Sequence, residues 1–115
     1  MSNPLNDSEF TTYKYGYQYM SFGKRLKCVL KEERYNQREF AELVDIPQRS
    51  LENYLSDKQN PRLDGVMKIV NHVKFKKYAL WLMTGDTEPS SGQICPAFSI
   101  QEQCGLVDEA SRKQA

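Results

Sequence analysis

The stretch that most constrains this chain runs from Gln37 to Ser56, QREFAELVDIPQRSLENYLS. Wound at about 100° per residue, Phe40, Ala41, Leu43 and Val44 gather on one arc, and Arg38, Glu39 and Glu42 fall on the other. That pattern predicts an amphipathic helix of about two turns. Asn36 can cap it, with Glu39 three residues on to complete a capping box. The period breaks at Asp45-Ile46-Pro47. Asp tolerates a left-handed backbone, and Pro cannot continue the first helix but can open a second. A tight turn between two helices follows.

In the second helix the same arithmetic separates Leu51, Tyr54 and Leu55 from Gln48, Arg49, Glu52, Asn53 and Ser56. The apolar set is an anchor, and the polar set is one continuous face of long hydrogen-bonding side chains. An α-helix fits the major groove of DNA, where Gln and Arg can make paired hydrogen bonds to adenine and guanine edges.

These residues carry a resemblance. Gln37, Ala41, Ile46, Leu51 and Tyr54 stand where the helix-turn-helix of the phage-repressor family, of Cro and xenobiotic-response-element type, has its Gln, its Ala and its apolar anchors. Asn60-Pro61, the run from Val66 to Val70, and Trp81-Leu82-Met83-Thr84-Gly85 resemble later landmarks of that family. The likeness spans roughly Phe22 to Asp86, and the joint spacing is far more specific than any one motif. Departures are Asp45 in place of the usual turn Gly, Pro47 in place of a capping Ser or Thr, and Leu55 and Asp57 in place of a Glu and a Gly. None removes a core anchor.

The resemblance implies an all-α, five-helix repressor-like DNA-binding domain over residues 21–86, with an arm before it (1–20) and a linker and tail after it (87–115). The polar positions supply the candidate site, some from the resemblance and some from position alone. Gln48 and Arg49, at the leading end of the second helix, are the first candidates for base reading, with Glu52 and Asn53 beyond them. Gln37 matches the family's phosphate-binding glutamine. Arg38, Ser56, Lys58 and Arg62 are further phosphate candidates by position. One such module touches few base pairs, so useful specificity calls for two copies on a pseudo-palindromic duplex operator. The expected function is a homodimeric repressor of phage or mobile-element genes. An antitoxin or adaptor whose tail binds a partner protein is the alternative, and an anti-repressor or other protein is a further partner to expect.

Charge agrees with a polyanionic partner. The chain has 16 Lys and Arg against 15 Asp and Glu, yet residues 21–78 hold 13 of the former and 8 of the latter. The helical part is basic and its flanks acidic. No Ser/His/Asp or Cys/His constellation, phosphate-cradling loop or paired-carboxylate motif suggests an enzyme. The single His72 and the three cysteines, at 28, 95 and 104, have no metal-ligand spacing, so neither a metal nor a cofactor is expected. Three cysteines without a CxxC pair fit a reducing compartment. With no apolar run near 18 residues and no basic-then-apolar leader, a cytoplasmic location without membrane contact is the expectation.

The flanks read less sharply. Tyr13, Tyr15, Tyr17 and Tyr19 alternate with Lys14, Gly16, Gln18 and Met20, the period of a strand. Its partner would be the alternating Ile94, Pro96, Phe98 and Ile100, or a second copy of itself. An unstructured arm and an arm laid along DNA are the other readings. A first helix is predicted over about 21–33 on Phe22, Leu26, Val29 and Leu30. Cys28 falls off that stripe between Lys24 and Lys31, a surface thiol that is either unremarkable or poised toward thiolate. A fourth helix is predicted over about 63–73, packing Leu63, Met67 and Val73 with Val66, Ile69 and Val70. A fifth, over about 75–83, leaves Leu80 and Met83 beyond its core stripe and Trp81 at the edge. Those three are the candidate dimer interface. Weak helical character is expected over 101–110.

Overall fold

The computed structural model describes residues 21–105. The arm over 1–20, with its tyrosine alternation, and residues 106–115 lie outside the described residues. Six α-helices are present among those described: α1 (Phe22–Glu33), α2 (Gln37–Val44), α3 (Gln48–Leu55), α4 (Leu63–Val70), α5 (Ala79–Thr84) and α6 (Phe98–Gln103). Short 3-10 turns at Lys76–Tyr78 and Pro89–Ser91 join them. No helix among the described residues is long and apolar enough to cross a membrane.

Local chemistry places the first three helices. Ser21 Oγ accepts from Lys24 N at 3.0 Å and caps α1. The capping box of α2 is complete, with Asn36 Oδ1 accepting from Glu39 N at 2.8 Å and Glu39 Oε1 accepting from Asn36 N at 3.0 Å. Asp45 takes the left-handed conformation at φ 60°, and Ile46 N–H closes back on Ala41 C=O at 3.0 Å. Pro47 then opens α3 from extended backbone with no side-chain cap.

The core is built from Leu26 and Val29 of α1, Phe40 of α2, Leu51 of α3, Ile69 of α4, Leu82 of α5, and the interhelical Phe75 and Tyr78. The Phe75 ring meets Phe40 at 4.7 Å and Tyr35 edge-on at 5.8 Å. Tyr78 OH donates to Glu33 Oε2 at 2.6 Å, and Lys77 pairs with the same carboxylate at 3.2 Å. Burial, then the bond to Glu33, raises the Tyr78 phenol above its ordinary value and keeps it a donor.

Several sequence expectations are corrected. The fourth helix stops at Val70 rather than near 73. A chain of turns follows, in which His72 N bonds Ile69 O and His72 Nδ1 accepts from Lys74 N. Val73 is 85% exposed, and Leu63 and Met67 on α4 are also exposed rather than core. The fifth helix begins as a 3-10 turn at Lys76. The alternation from Ile94 to Ile100 is not a strand: residues 94–97 are irregular, Pro96 has no N–H to give a ladder, and α6 starts at Phe98. The late helix therefore begins before residue 101.

Beyond Asp86 the described chain returns across α1 instead of leaving the domain. Ile94 N–H donates to Lys77 C=O at 2.9 Å, and Ala97 N–H to Glu32 Oε1 at 2.7 Å. α6 then packs on α1, and Cys95, Ile100 and Cys104 lie against the core. This covers Cys28, which is fully buried and not a surface thiol. Burial above all, then contact with Cys104, raises its thiol well above the ordinary value. The neighbouring lysines do not make it a thiolate.

Candidate nucleic-acid interface

The site grows from the way α3 is clamped. On its inner side Leu51, Tyr54 and Leu55 are buried. On its outer side Gln48, Arg49, Glu52 and Ser56 are exposed, and Asn53 is half-buried at the edge. The offset between the two faces follows from the 3.6-residue period, so burying the anchors turns the polar set outward.

α2 supplies the other wall. Gln37 and Arg38 are exposed in its first turn. Arg38, Glu42, Asp45, Ile46, Pro47 and Gln48 line one concavity together with Ala41, which joins the polar face of α2 to the leading end of α3. Lys58 and Arg62 are exposed on the loop after α3. Arg62 stands 3.8 Å from Asp64, both more than three-quarters exposed, a pairing too solvated to hold the guanidinium back from another anion.

The polar face is internally ordered. Gln48 Nε2 donates to Glu52 Oε2 at 3.3 Å, and Asn53 Nδ2 donates to Gln59 Oε1 at 3.3 Å. Asn53 C=O also accepts from Lys58 N at 3.0 Å and Gln59 N at 3.3 Å, so the loop folds back on the last turn of α3. Asp57 takes a left-handed φ of 61° and accepts from Ser21 Oγ at 2.9 Å, tying this loop to the start of α1.

Two supporting residues escaped the sequence reading. Gln59 is one, since its bond to Asn53 depends on how the loop closes. Lys68 of α4 is the other. Its Nζ donates to Asp45 C=O at 2.9 Å and lies 3.7 Å from Asp45 Oδ2, holding the turn between α2 and α3 from outside. An Asp at a left-handed turn position hints at such a partner, but periodicity cannot say which of 13 basic residues supplies it.

Of the candidate interface residues on α5, Met83 is 52% exposed. Leu80 is half-buried, with its N–H bonded to Gln93 Oε1 at 2.9 Å. Trp81 is 3% exposed and part of the core, so its place at the edge of the stripe is corrected. Its large ring fills the interior beside Leu82 and is not a surface residue.

A helix seated on its apolar side beside a capped partner helix, with a polar outer face and basic flanks, defines a DNA-binding helix-turn-helix regulator. The chain belongs to that class: residues 23–88 match the family described as helix-turn-helix domain. It is similar to Repressor protein C of Escherichia phage P2, with 32% identity over 79 residues, covering 69% of this chain and 80% of that protein. The protein is thus a DNA-binding transcriptional regulator of phage-repressor, xenobiotic-response-element type.

Proposed function

We propose that the protein is a homodimeric repressor that reads a pseudo-palindromic duplex operator with α3 and controls phage or mobile-element genes. The observation that carries this reading is the division of α3, with anchors buried and Gln48, Arg49 and Glu52 exposed on one face. The similarity to a protein named as a repressor supports the direction of regulation.

In this reading Gln48 and Arg49 lead α3 into the major groove, with Glu52 and Asn53 further along the same face. Gln37, Arg38, Ser56, Lys58 and Arg62 meet phosphates on either side, and the N-terminus of α2 offers its N–H groups there as well. Two copies joined through the surface at Leu80 and Met83 would set their α3 helices about 34 Å apart, one turn of duplex. The adaptor reading is weaker, because the tail up to Gly105 is fastened to α1 and is not a free capturing segment.

The test is selection of bound duplexes from a random pool, repeated with variants. Arg49→Ala or Gln48→Ala is expected to keep the fold and to lose about 1–3 kcal/mol of discrimination at one base pair. An unchanged sequence preference would remove these residues from readout. Lys58→Ala and Arg62→Ala should weaken all duplexes alike and reduce the log–log salt slope by about 0.9 for each lost phosphate contact. A slope equal to that of the parent would exclude such contacts. Leu80→Asp should shift the sedimenting species from dimer to monomer, and a variant that remains dimeric would place the interface elsewhere.

A further inference from the structure

Gln48 and Glu52 lie one helical turn apart on the exposed face of α3, with Gln48 Nε2 donating to Glu52 Oε2 at 3.3 Å. An ionised carboxylate is an acceptor only. The bond can therefore be made by one end of the amide alone, so Nε2 faces Glu52 and Oε1 faces away from it. One of the two Gln48 N–H donors is engaged within the protein. What remains for a ligand is one N–H and one carbonyl oxygen.

That remainder fits one purine and not the other. The major-groove edge of adenine offers an acceptor at N7 and a donor at N6, while guanine offers two acceptors, N7 and O6. A glutamine with both N–H groups free can meet either edge, using one N–H and its oxygen for adenine or two N–H groups for guanine. With one N–H held by Glu52, the second option is removed. Excluding water from the groove would strengthen the internal bond, since the local dielectric falls.

We propose that Glu52 is a positioning residue that makes Gln48 selective for adenine over guanine, acting through the amide rather than touching a base. This rests on the reading of α3 as the base-reading helix. The charge of Glu52 works separately: a carboxylate near the duplex lowers affinity for every sequence. Selectivity and affinity should therefore respond differently to substitution.

The experiment uses the full chain and duplex pairs that differ only by A·T or G·C at the position where Gln48→Ala loses discrimination. The parent is expected to favour adenine by about tenfold. Glu52→Ala should bind both duplexes more tightly and bring the adenine-to-guanine ratio close to one. Glu52→Gln, uncharged but still able to accept from Gln48 through Oε1, should also bind both more tightly while keeping the adenine preference. Retention of the full preference in Glu52→Ala would overturn the proposal, as would loss of a cytosine preference at a neighbouring pair, which would make Glu52 a direct reader. If Gln48→Ala changes no position, the base-reading role of Gln48 fails and the proposal fails with it. That result is distinct from a failure confined to Glu52.

Discussion

Gly23→Ala is expected to destabilise the protein by about 3 kcal/mol or more and to abolish specific DNA binding near physiological temperature. Local propensity gives the opposite sign, because alanine in a helix is favoured over glycine by about 1 kcal/mol. Tertiary packing decides the outcome. A Cβ on Gly23 would fall on the carbonyl oxygen of Tyr54, 2.7 Å from Asp57 Oδ1 and 3.3 Å from the carbonyl oxygen of Leu55. The first of these is backbone that cannot swing aside, since Tyr54 C=O already accepts from Asp57 N at 3.2 Å. α1 and α3 would have to part, opening the core around Leu26 and Leu51. For a small domain with about 5–15 kcal/mol of total stability, that is a large fraction. Urea unfolding followed by circular dichroism measures it, and a midpoint at or above that of the parent would show that α1 does not pack on α3 this closely.

The close approach at Gly23 marks a limit of what the chain discloses before it is folded. The α2-turn-α3 unit was legible because its determinants are local: a capping box within four residues, an apolar period, and an Asp-Ile-Pro break. Which face of α3 points outward was legible for the same reason. Cys28 was not. The 3.6-residue period puts it off the α1 stripe, but α6, some 70 residues later, folds over it and supplies Ile100 C=O as a 3.9 Å acceptor for its thiol. The opposite error occurs on α4, where Leu63 and Met67 share the apolar stripe of Val66 and Ile69 yet remain exposed. Periodicity finds a face but not the extent of what covers it.

The site divides in the same way. The outward placement of Gln48, Arg49 and Glu52 is a property of one helix, and the Gln48–Glu52 bond follows from a four-residue spacing. The Asn53–Gln59 bond, the Ser21–Asp57 tie and the grip of Lys68 on Asp45 join separate elements and required the tertiary structure. Trp81 illustrates the cost of judging an interface from one helix. Its angle suggested an edge position, but its ring is large enough to complete the core.

Phe75→Ala is expected to cost about 3–5 kcal/mol, from lost transfer energy and the cavity left behind. Phe75 is fully buried, and its ring touches His72 at 5.1 Å as well as Phe40 and Tyr35. It therefore connects the turn after α4 to α2, the helix against which α3 is seated. No residue proposed to touch DNA is altered, so the native form of the variant should bind its operator with parent-like selectivity. What changes is how much of it is folded. Operator duplex at about 100 times its dissociation constant should restore about 2.7 kcal/mol, because it binds only the folded state. The expected observation is a lowered melting temperature that rises on adding operator, with Phe75→Leu intermediate. A variant that melts like the parent would remove Phe75 as the link between α2 and the turn after α4. One that melts lower yet gains nothing from operator would show that the Phe75 cluster shapes the α2–α3 geometry itself.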